Sequence, residues 1–596
     1  MIDGSGPRTW SSPAVSAPST AASGPSALAV CKQYPSWSPP SQSNFSLPAP
    51  LPASTYAKLL SGAVRIDTTV PDSWGPLNAP NVSSTVRENY RKAFAPFEAY
   101  LSRSFPLVHS VLTKEVVDSH GLIFTWRGSD ESLKPLVLMA HQDVVPVEPS
   151  TVGQWVHDPF SGSVDEENGV VWGRGSSDDK ASLISIMSAL ESLASSTFKP
   201  SRTIVASFGF DEESTGSAAA ALASFLVERY VPTVGGAELI VDEGGEVLGA
   251  DVSEEEGGMG TAYAGPATSE KGYLDVRVTV RTPGGHSSVP PRRTGIGHLA
   301  RLVASIEDNA PQPRISDVDH PALAPLLCLR EAPAIKEGRP QLYKTLQHLV
   351  KQLEDEEKPR ARIGCPGARR RRDQQRRREL LNSILPQLSA EEQALFGTTQ
   401  AVDLISGGVK INALPEKSEA VVNYRIDVRS SVGEVKEWVG KVVQKKAKEL
   451  GLDFIGWTHE EVEALEAAKS AKGTVSLSVA FNSALEPTPS SPIVDGTESS
   501  AAAWRLLSSV IRSTWRDHGE IPVIPTLMGG NTDTKSYHAL SRNIFRFSGG
   551  TLNPPPKGMK GADGGIHTVN EYASIDALVK GTEFYSKLIW AVQVIG

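Results

Sequence analysis

Two histidines and several acidic residues sit where apolar stretches of the sequence end. They are His141-Gln142-Asp143, Asp178-Asp179 within Trp172-Gly173-Arg174-Gly175-Ser176-Ser177-Asp178-Asp179-Lys180, Asp211-Glu212-Glu213, Asp242-Glu243, and His567 within Gly564-Gly565-Ile566-His567. Neutral imidazole and carboxylate oxygen are ligands for a borderline divalent cation, and a carboxylate two residues from a histidine can accept its second N–H and fix the tautomer. An aspartate at a loop-to-helix junction has two oxygens with which to bridge two ions. Adjacent glutamates can divide the work, one binding metal and its neighbour taking a proton from water. The inventory suits two Zn²⁺ ions sharing one aspartate roughly 3.5–4 Å apart.

These residues need elements that bring them to one place. Leu136–Met139, Thr203–Phe208 and Leu239–Val241 are short apolar runs, each followed at once by one of the polar clusters. Polar clusters at the carboxyl ends of buried parallel strands converge on one crevice of an open α/β sheet. A second pattern follows: an alternating strand over Gly272–Thr282, a helix over Gly295–Ile306, a hairpin over Val409–Val428 turning near Pro415, a helix over Val432–Leu450 and a strand near Thr474–Ala480. This is the β-α-β-β-α-β order of a ferredoxin-like module. Because the α/β pattern resumes after about Asp495, the module is expected to be inserted into a discontinuous catalytic domain with a mostly parallel sheet. The expected boundaries are a flexible Ser/Pro/Ala-rich lead-in over 1–80, catalytic parts over 81–271 and 486–596, and a lid or dimerisation domain over 272–485. Within the last, 310–400 reads as an irregular insertion, and Arg369–Arg372 with Arg376–Arg378 as a solvated loop.

The remaining composition narrows the function. A chain of 596 residues with 39% hydrophobic content and a formal charge of -9 is a globular protein with no reason to bind nucleic acid. No apolar run is long enough to span a bilayer. Three cysteines, Cys31, Cys328 and Cys365, contain no C-x-x-C pair, so neither a disulfide framework nor a thiolate zinc site is expected. Asn44-Phe45-Ser46 and Asn81-Val82-Ser83 would accept glycans on a secretory route.

In order and local sequence the motifs resemble the zinc metallopeptidase family that contains carboxypeptidase S, aminoacylase and carboxypeptidase G, over roughly residues 85–596 apart from the Arg-rich segment. The resemblance implies that His141 and Asp242 are terminal ligands of one metal, Glu213 and His567 those of the other, and Asp178 the bridge. Family members differ in whether the first or second acidic residue of the Asp242-Glu243 pair is the ligand, and Asp242 is taken here. Asp143 would orient His141, and Glu212 would be the general base.

Gly284-Gly285-His286-Ser287-Ser288 resembles the segment whose histidine polarises the scissile carbonyl, across a dimer in some members. Asn412 would lie near the oxyanion and Arg425 would clamp a substrate carboxylate. Phe208–Glu213, Asp242–Gly245 and Gly284–Pro291 look closest to the carboxypeptidase S branch, associated with release of C-terminal residues from small peptides in the fungal vacuole. The implied activity is C-terminal amide hydrolysis of small peptides, with hydrolysis of N-acyl amino acids as the alternative. A homodimer and a vacuolar or secretory location are further implications, with a cytoplasmic location still open.

Overall fold

A computed structural model describes residues 28–41, 45–253, 258–357, 366–458, 473–495, 500–552 and 564–594, with only the backbone of 357 and 366–370. Asn44, Cys365 and the Arg369 and Arg370 side chains lie outside the described residues.

The three apolar runs form neighbouring strands, Ile204–Gly209, Leu136–His141 and Leu239–Leu248, paired in parallel. Every residue of the first two is buried, because helices cover both faces. These strands are the middle of a nine-stranded sheet, extended by Thr113–Val117 and Gly121–Trp126 on one side and by Ile544–Leu552, Ala267–Glu270 and Thr526–Met528 on the other. Helices Lys180–Ala194 and Ile575–Ala591 share one core with the sheet through Leu183, Met187, Phe584 and Leu588. Helix Ser217–Val234 closes the opposite face with Leu222 and Leu226 against Ile123, Val205 and Ile240.

The inserted module has the ferredoxin-like order. Strands Thr399–Gly407, Lys417–Ile426, Gly272–Arg281 and Thr474–Leu485 lie side by side, and Asp453–Trp457 adds an edge strand parallel to the last. Helices Gly295–Glu307 and Val432–Leu450 bury Leu299, Leu302, Val439 and Val443 on Val276, Val278 and Val422.

Three expectations are corrected. The lead-in is not uniformly flexible: helix Ala53–Val64 places Tyr56, Leu60 and Val64 in the main core, and Trp37 meets Trp590 edge to face at 5.1 Å. Leu60 is fully buried, so truncating it to alanine costs about 2–5 kcal/mol. The described residues from Leu323 to Ala394 are mainly helical, with Pro340–Glu357 and Pro366–Ile384 as the longest pieces. Their core of Leu342, Leu346, Leu349, Leu353, Leu381 and Ile384 includes Met259, Tyr263 and Leu527 of the catalytic domain. The arginine run is therefore part of a helix, with Arg371, Arg372, Arg376 and Arg378 exposed and Arg377 on Glu356 at 2.8 Å. Finally, Cys31 and Cys328 form a disulfide, joining the N-terminal segment to this helical layer.

The helical layer also grips the joint between the two domains. Lys271, just before the first strand of the inserted module, donates from its ammonium to the carbonyls of Ala394 (2.9 Å) and Gly397 (2.7 Å). Arg429, just past the strand Lys417–Ile426, pairs with Asp317 and Asp319 at 3.2 and 3.0 Å, and His320 meets Asp427 at 3.4 Å.

Candidate metal centre

Asp178 is the hub of the site. Its Oδ1 lies 3.0 Å from His141 Nε2 and its Oδ2 lies 3.2 Å from His567 Nε2. Glu213 stands 3.0 Å from His567 Nε2, and Glu243 Oε2 stands 3.7 Å from His141 Nε2. Two donor groups result, His141, Asp178 and Glu243, and Asp178, Glu213 and His567, each with ligand atoms within 4.8 Å of one another. Donors on one tetrahedral ion with bonds of about 2.0–2.2 Å lie about 3.3–3.6 Å apart, so both groups fit a cation. Nitrogen and carboxylate donors without thiolate suit Zn²⁺, Mn²⁺ or Co²⁺.

Local structure explains how each of these donors arrives. His141 ends the strand Leu136–His141, and Asp178 precedes helix Lys180–Ala194. Gly175, at φ +78°, lets that loop turn beneath Val144, where a Cβ would come within 2.2 Å of a methyl group. Gly564, at φ +72°, lets the His567 loop lie against the Tyr572 carbonyl, which a Cβ would approach to 2.4 Å.

Glu243, not Asp242, reaches His141. Neighbouring residues of a strand face opposite sides, so only one of the pair can join the site. Asp242 is in register with Arg546, its Oδ2 is buried without a hydrogen bond, and burial pushes its carboxyl up to about 6.

Asp143 has a wider part than orienting His141. The ring Nδ1 lies 3.0 Å from the Asp143 carbonyl and 3.4 Å from its carboxylate. The two carboxylate oxygens accept the amides of Glu212 and Glu213, both at 3.1 Å. One buried aspartate thus fixes the turn that presents Glu213 and its acidic neighbour Glu212 together. The Glu212 side chain has no hydrogen bond or ion pair among the described residues, and burial holds its carboxyl well above the usual range.

Glu571 was not singled out by sequence reasoning, although it lies in the His567 motif. It is buried, accepts the amides of Ser177 (3.0 Å) and Asp178 (3.2 Å), and pairs with Arg174 at 2.6 Å. Burial raises it to about 6 despite the guanidinium. On His567, hydrogen bonds to Asp178 and then Glu213 raise the imidazole to about 10. His141 is raised as well: burial opposes this, but Glu243, Asp143 and Asp178 outweigh it. Asp178 is lowered because hydrogen bonds from the two imidazoles overcome its burial.

The residues expected on the inserted module come together only in part. His286 pairs in register with Ala413, and the Ser287 amide donates to the Asn412 carbonyl at 3.2 Å, so the two segments are neighbours. Both side chains are exposed and neither bonds a residue of the two donor groups. Arg425 is exposed on its strand with the guanidinium 5.8 Å from the Tyr273 ring.

Known proteins share this arrangement of the chain. A family model described as Peptidase family M20/M25/M40 matches residues 137–591. Carboxypeptidase S of Saccharomyces cerevisiae is 36% identical over 540 residues, covering 89% of this chain and 83% of the relative. The N-fatty-acyl-amino acid synthase/hydrolase PM20D1 of Mus musculus is 30% identical over 519 residues, 86% of each chain. Among solved structures, an M20 family metallo-carboxypeptidase, Sso-CP2 of Sulfolobus solfataricus, superposes with a TM-score of 0.54 at 15% identity over 91% of this chain and 99% of its own.

Proposed function

From the premise that this chain belongs to peptidase family M20/M25/M40, we propose that it is a carboxypeptidase that removes the C-terminal residue of small peptides with two zinc ions per subunit. The observation that supports this most directly is Asp178 between His141 and His567, one carboxylate oxygen toward each imidazole. A bridging carboxylate of that kind holds a pair of cations.

In this reading His141, Asp178 and Glu243 hold one ion, and Asp178, Glu213 and His567 the other. When bound, the pair would act as a Lewis acid on the scissile carbonyl and acidify a water. Glu212 Oε takes the proton of that water and returns it to the leaving nitrogen. Its side chain has no hydrogen bond among the described residues, and its basicity, raised by burial and by the charges of Asp533 and Glu213, suits the task. Asp143 and Glu571 hold the loops on either side so that Glu212 does not drift from the reacting atoms. His286 and Asn412 would polarise the carbonyl from the inserted module, and Arg425 would bind the free carboxylate through its paired N–H donors.

A homodimer is part of the same reading. Support comes from the outer edge of strand Thr399–Gly407, with Leu404, Ile405, Val409 and Ile411 exposed beside the Asn412 segment. A location in the vacuole lumen or secretory pathway is supported by the Cys31–Cys328 disulfide, which needs an oxidising compartment. The second reading, hydrolysis of N-acyl amino acids, is supported by the mouse relative.

The deciding experiment measures metal content together with rates on a blocked glycyl dipeptide and on an N-acyl amino acid. Two zinc equivalents with faster release from the dipeptide is the expected result. Faster cleavage of the N-acyl amino acid would transfer the assignment to the second reading, and no hydrolysis of either would remove both.

A further inference from the structure

Lys180, Lys271 and Lys535 are partly or wholly buried, and they do not behave alike. Lys180 donates to the carbonyls of Ala63 (3.2 Å) and Ile66 (2.8 Å), and Lys271 to those of Ala394 and Gly397. The ammonium of Lys535 makes no hydrogen bond or ion pair among the described residues. The charges of Glu212 and Asp533 keep it protonated against its burial, and without a hydrogen-bond acceptor its N–H donors are left open to a ligand.

Its position says which kind. Lys535 lies in the short turn Asp533–Ser536 and extends over Gly216, where a Cβ would come 2.6 Å from Nζ. Gly216 closes the Asp211–Gly216 turn that presents Glu212 and Glu213, its amide donating to the Asp211 carbonyl at 2.7 Å. The ammonium therefore sits beside the general base, on the catalytic-domain wall. After Glu212 and Asp533, Tyr273 at the start of the inserted module is the next group that acts on it electrostatically, and the Arg425 guanidinium lies 5.8 Å from the centre of the Tyr273 ring.

The turn is also stiff. Glu270 and Arg546 form a fully buried ion pair at 3.1 Å, the Thr532 amide and hydroxyl donate to Glu270, and Arg546 Nε donates to Thr534 Oγ1 at 3.0 Å. Asp533 packs against Gly209 at the end of its strand. A preorganised cation beside the turn that carries Glu212 and Glu213 recognises an anion at small entropic cost.

We propose that Lys535 is a specificity-determining residue that receives the free carboxylate of the substrate on the catalytic-domain side, opposite Arg425 on the inserted module. This rests on the carboxypeptidase reading, because the anion it takes is the terminal carboxylate next to the scissile bond. The two cations span the joint between the domains, so a peptide acid engages both and a peptide amide engages neither by charge.

The test compares N-acetyl-glycyl-leucine with its C-terminal amide on the wild type and on Lys535→Met, Lys535→Gln and Lys535→Arg, each checked for metal content. Loss of the charge should raise KM for the acid about tenfold or more while the amide changes little, and Lys535→Arg should restore most of the preference. A ratio of acid to amide kcat/KM that stays within a factor of about two in both neutral variants would overturn the proposal. Calorimetry of N-acetyl-leucine and N-acetyl-leucinamide binding to Glu212→Gln, with and without Lys535→Gln, reads the same preference without turnover. A wild type that cleaves neither peptide overturns the carboxypeptidase reading, and the calorimetric difference between acid and amide then decides Lys535 on its own.

Discussion

Glu571, four positions beyond His567, accepts the backbone amide of Asp178 at 3.2 Å through a carboxylate oxygen that also accepts the amide of Ser177. The loop bearing His567 is thus locked to the loop bearing Asp178, and Arg174 holds the lock from the other oxygen. Glu571→Ala leaves two amides and a buried guanidinium without their acceptor. Metal affinity should fall about 10–100-fold, as for other groups that orient ligands. Zinc titration against a competing chelator measures it, and affinity equal to wild type would mean that the loops hold themselves.

Glu212→Gln preserves the shape of the turn, because Asp143 bonds the amide of residue 212 rather than its side chain. The variant should retain both metal equivalents and lose about 10²–10⁴ in kcat. Full activity would remove Glu212 as the base.

The Asp242-Glu243 pair can be separated directly. Glu243→Ala should bind one metal equivalent fewer, whereas Asp242→Asn should keep its metal content, since Asp242 faces the opposite side of the strand. The reverse pattern in elemental analysis would restore Asp242 as the ligand.

That pair marks the limit of what could be read in the sequence. The positions of His141, Asp178, Glu213 and His567 were legible because each follows an apolar run or glycine-bearing turn, and such runs fix where a strand ends. The choice between two adjacent acids depends on strand phase at the sheet's centre, and both faces there are buried, so no alternation of polarity betrays it. Glu571 was illegible for another reason: two of its partners are backbone amides, which have no sequence signature, and the third, Arg174, is 397 residues away. In the 310–400 layer, the leucine spacing from Leu342 to Leu353 was present, but the arginine run drew the reading toward loop. The disulfide could not be foreseen from spacing, because its cysteines are 297 residues apart.

Lys271 supplies a pH dependence. Burial lowers its ammonium to about 8, against 10.5 when exposed. Between those values the unfolded chain holds more protons than the native one, so this group's contribution to stability rises with pH across that window and disappears below about 8. The gain is at most about 3 kcal/mol. Denaturant unfolding of wild type and Lys271→Met at pH 7 and pH 10 should show the wild type gaining relative to the variant. A constant difference would mean that the lysine titrates as if exposed.

Cys31→Ser should lower stability by about 2–4 kcal/mol, the usual effect of opening a disulfide that closes a long loop. Thermal unfolding with and without a reductant provides the check: reductant should lower the wild-type midpoint and leave that of the variant unchanged.

The same disulfide has a practical consequence for handling the protein. It closes a covalent ring that begins in a stretch easily trimmed as a tail and ends in a layer easily trimmed as an insertion. A shortened chain started at the first obvious helix, or one produced in a reducing bacterial cytosol, would lose the covalent tie between the N-terminal segment and the helical layer that grips the joint. Oxidative secretion of the chain from before Cys31 is the preparation in which the arrangement described above should be studied.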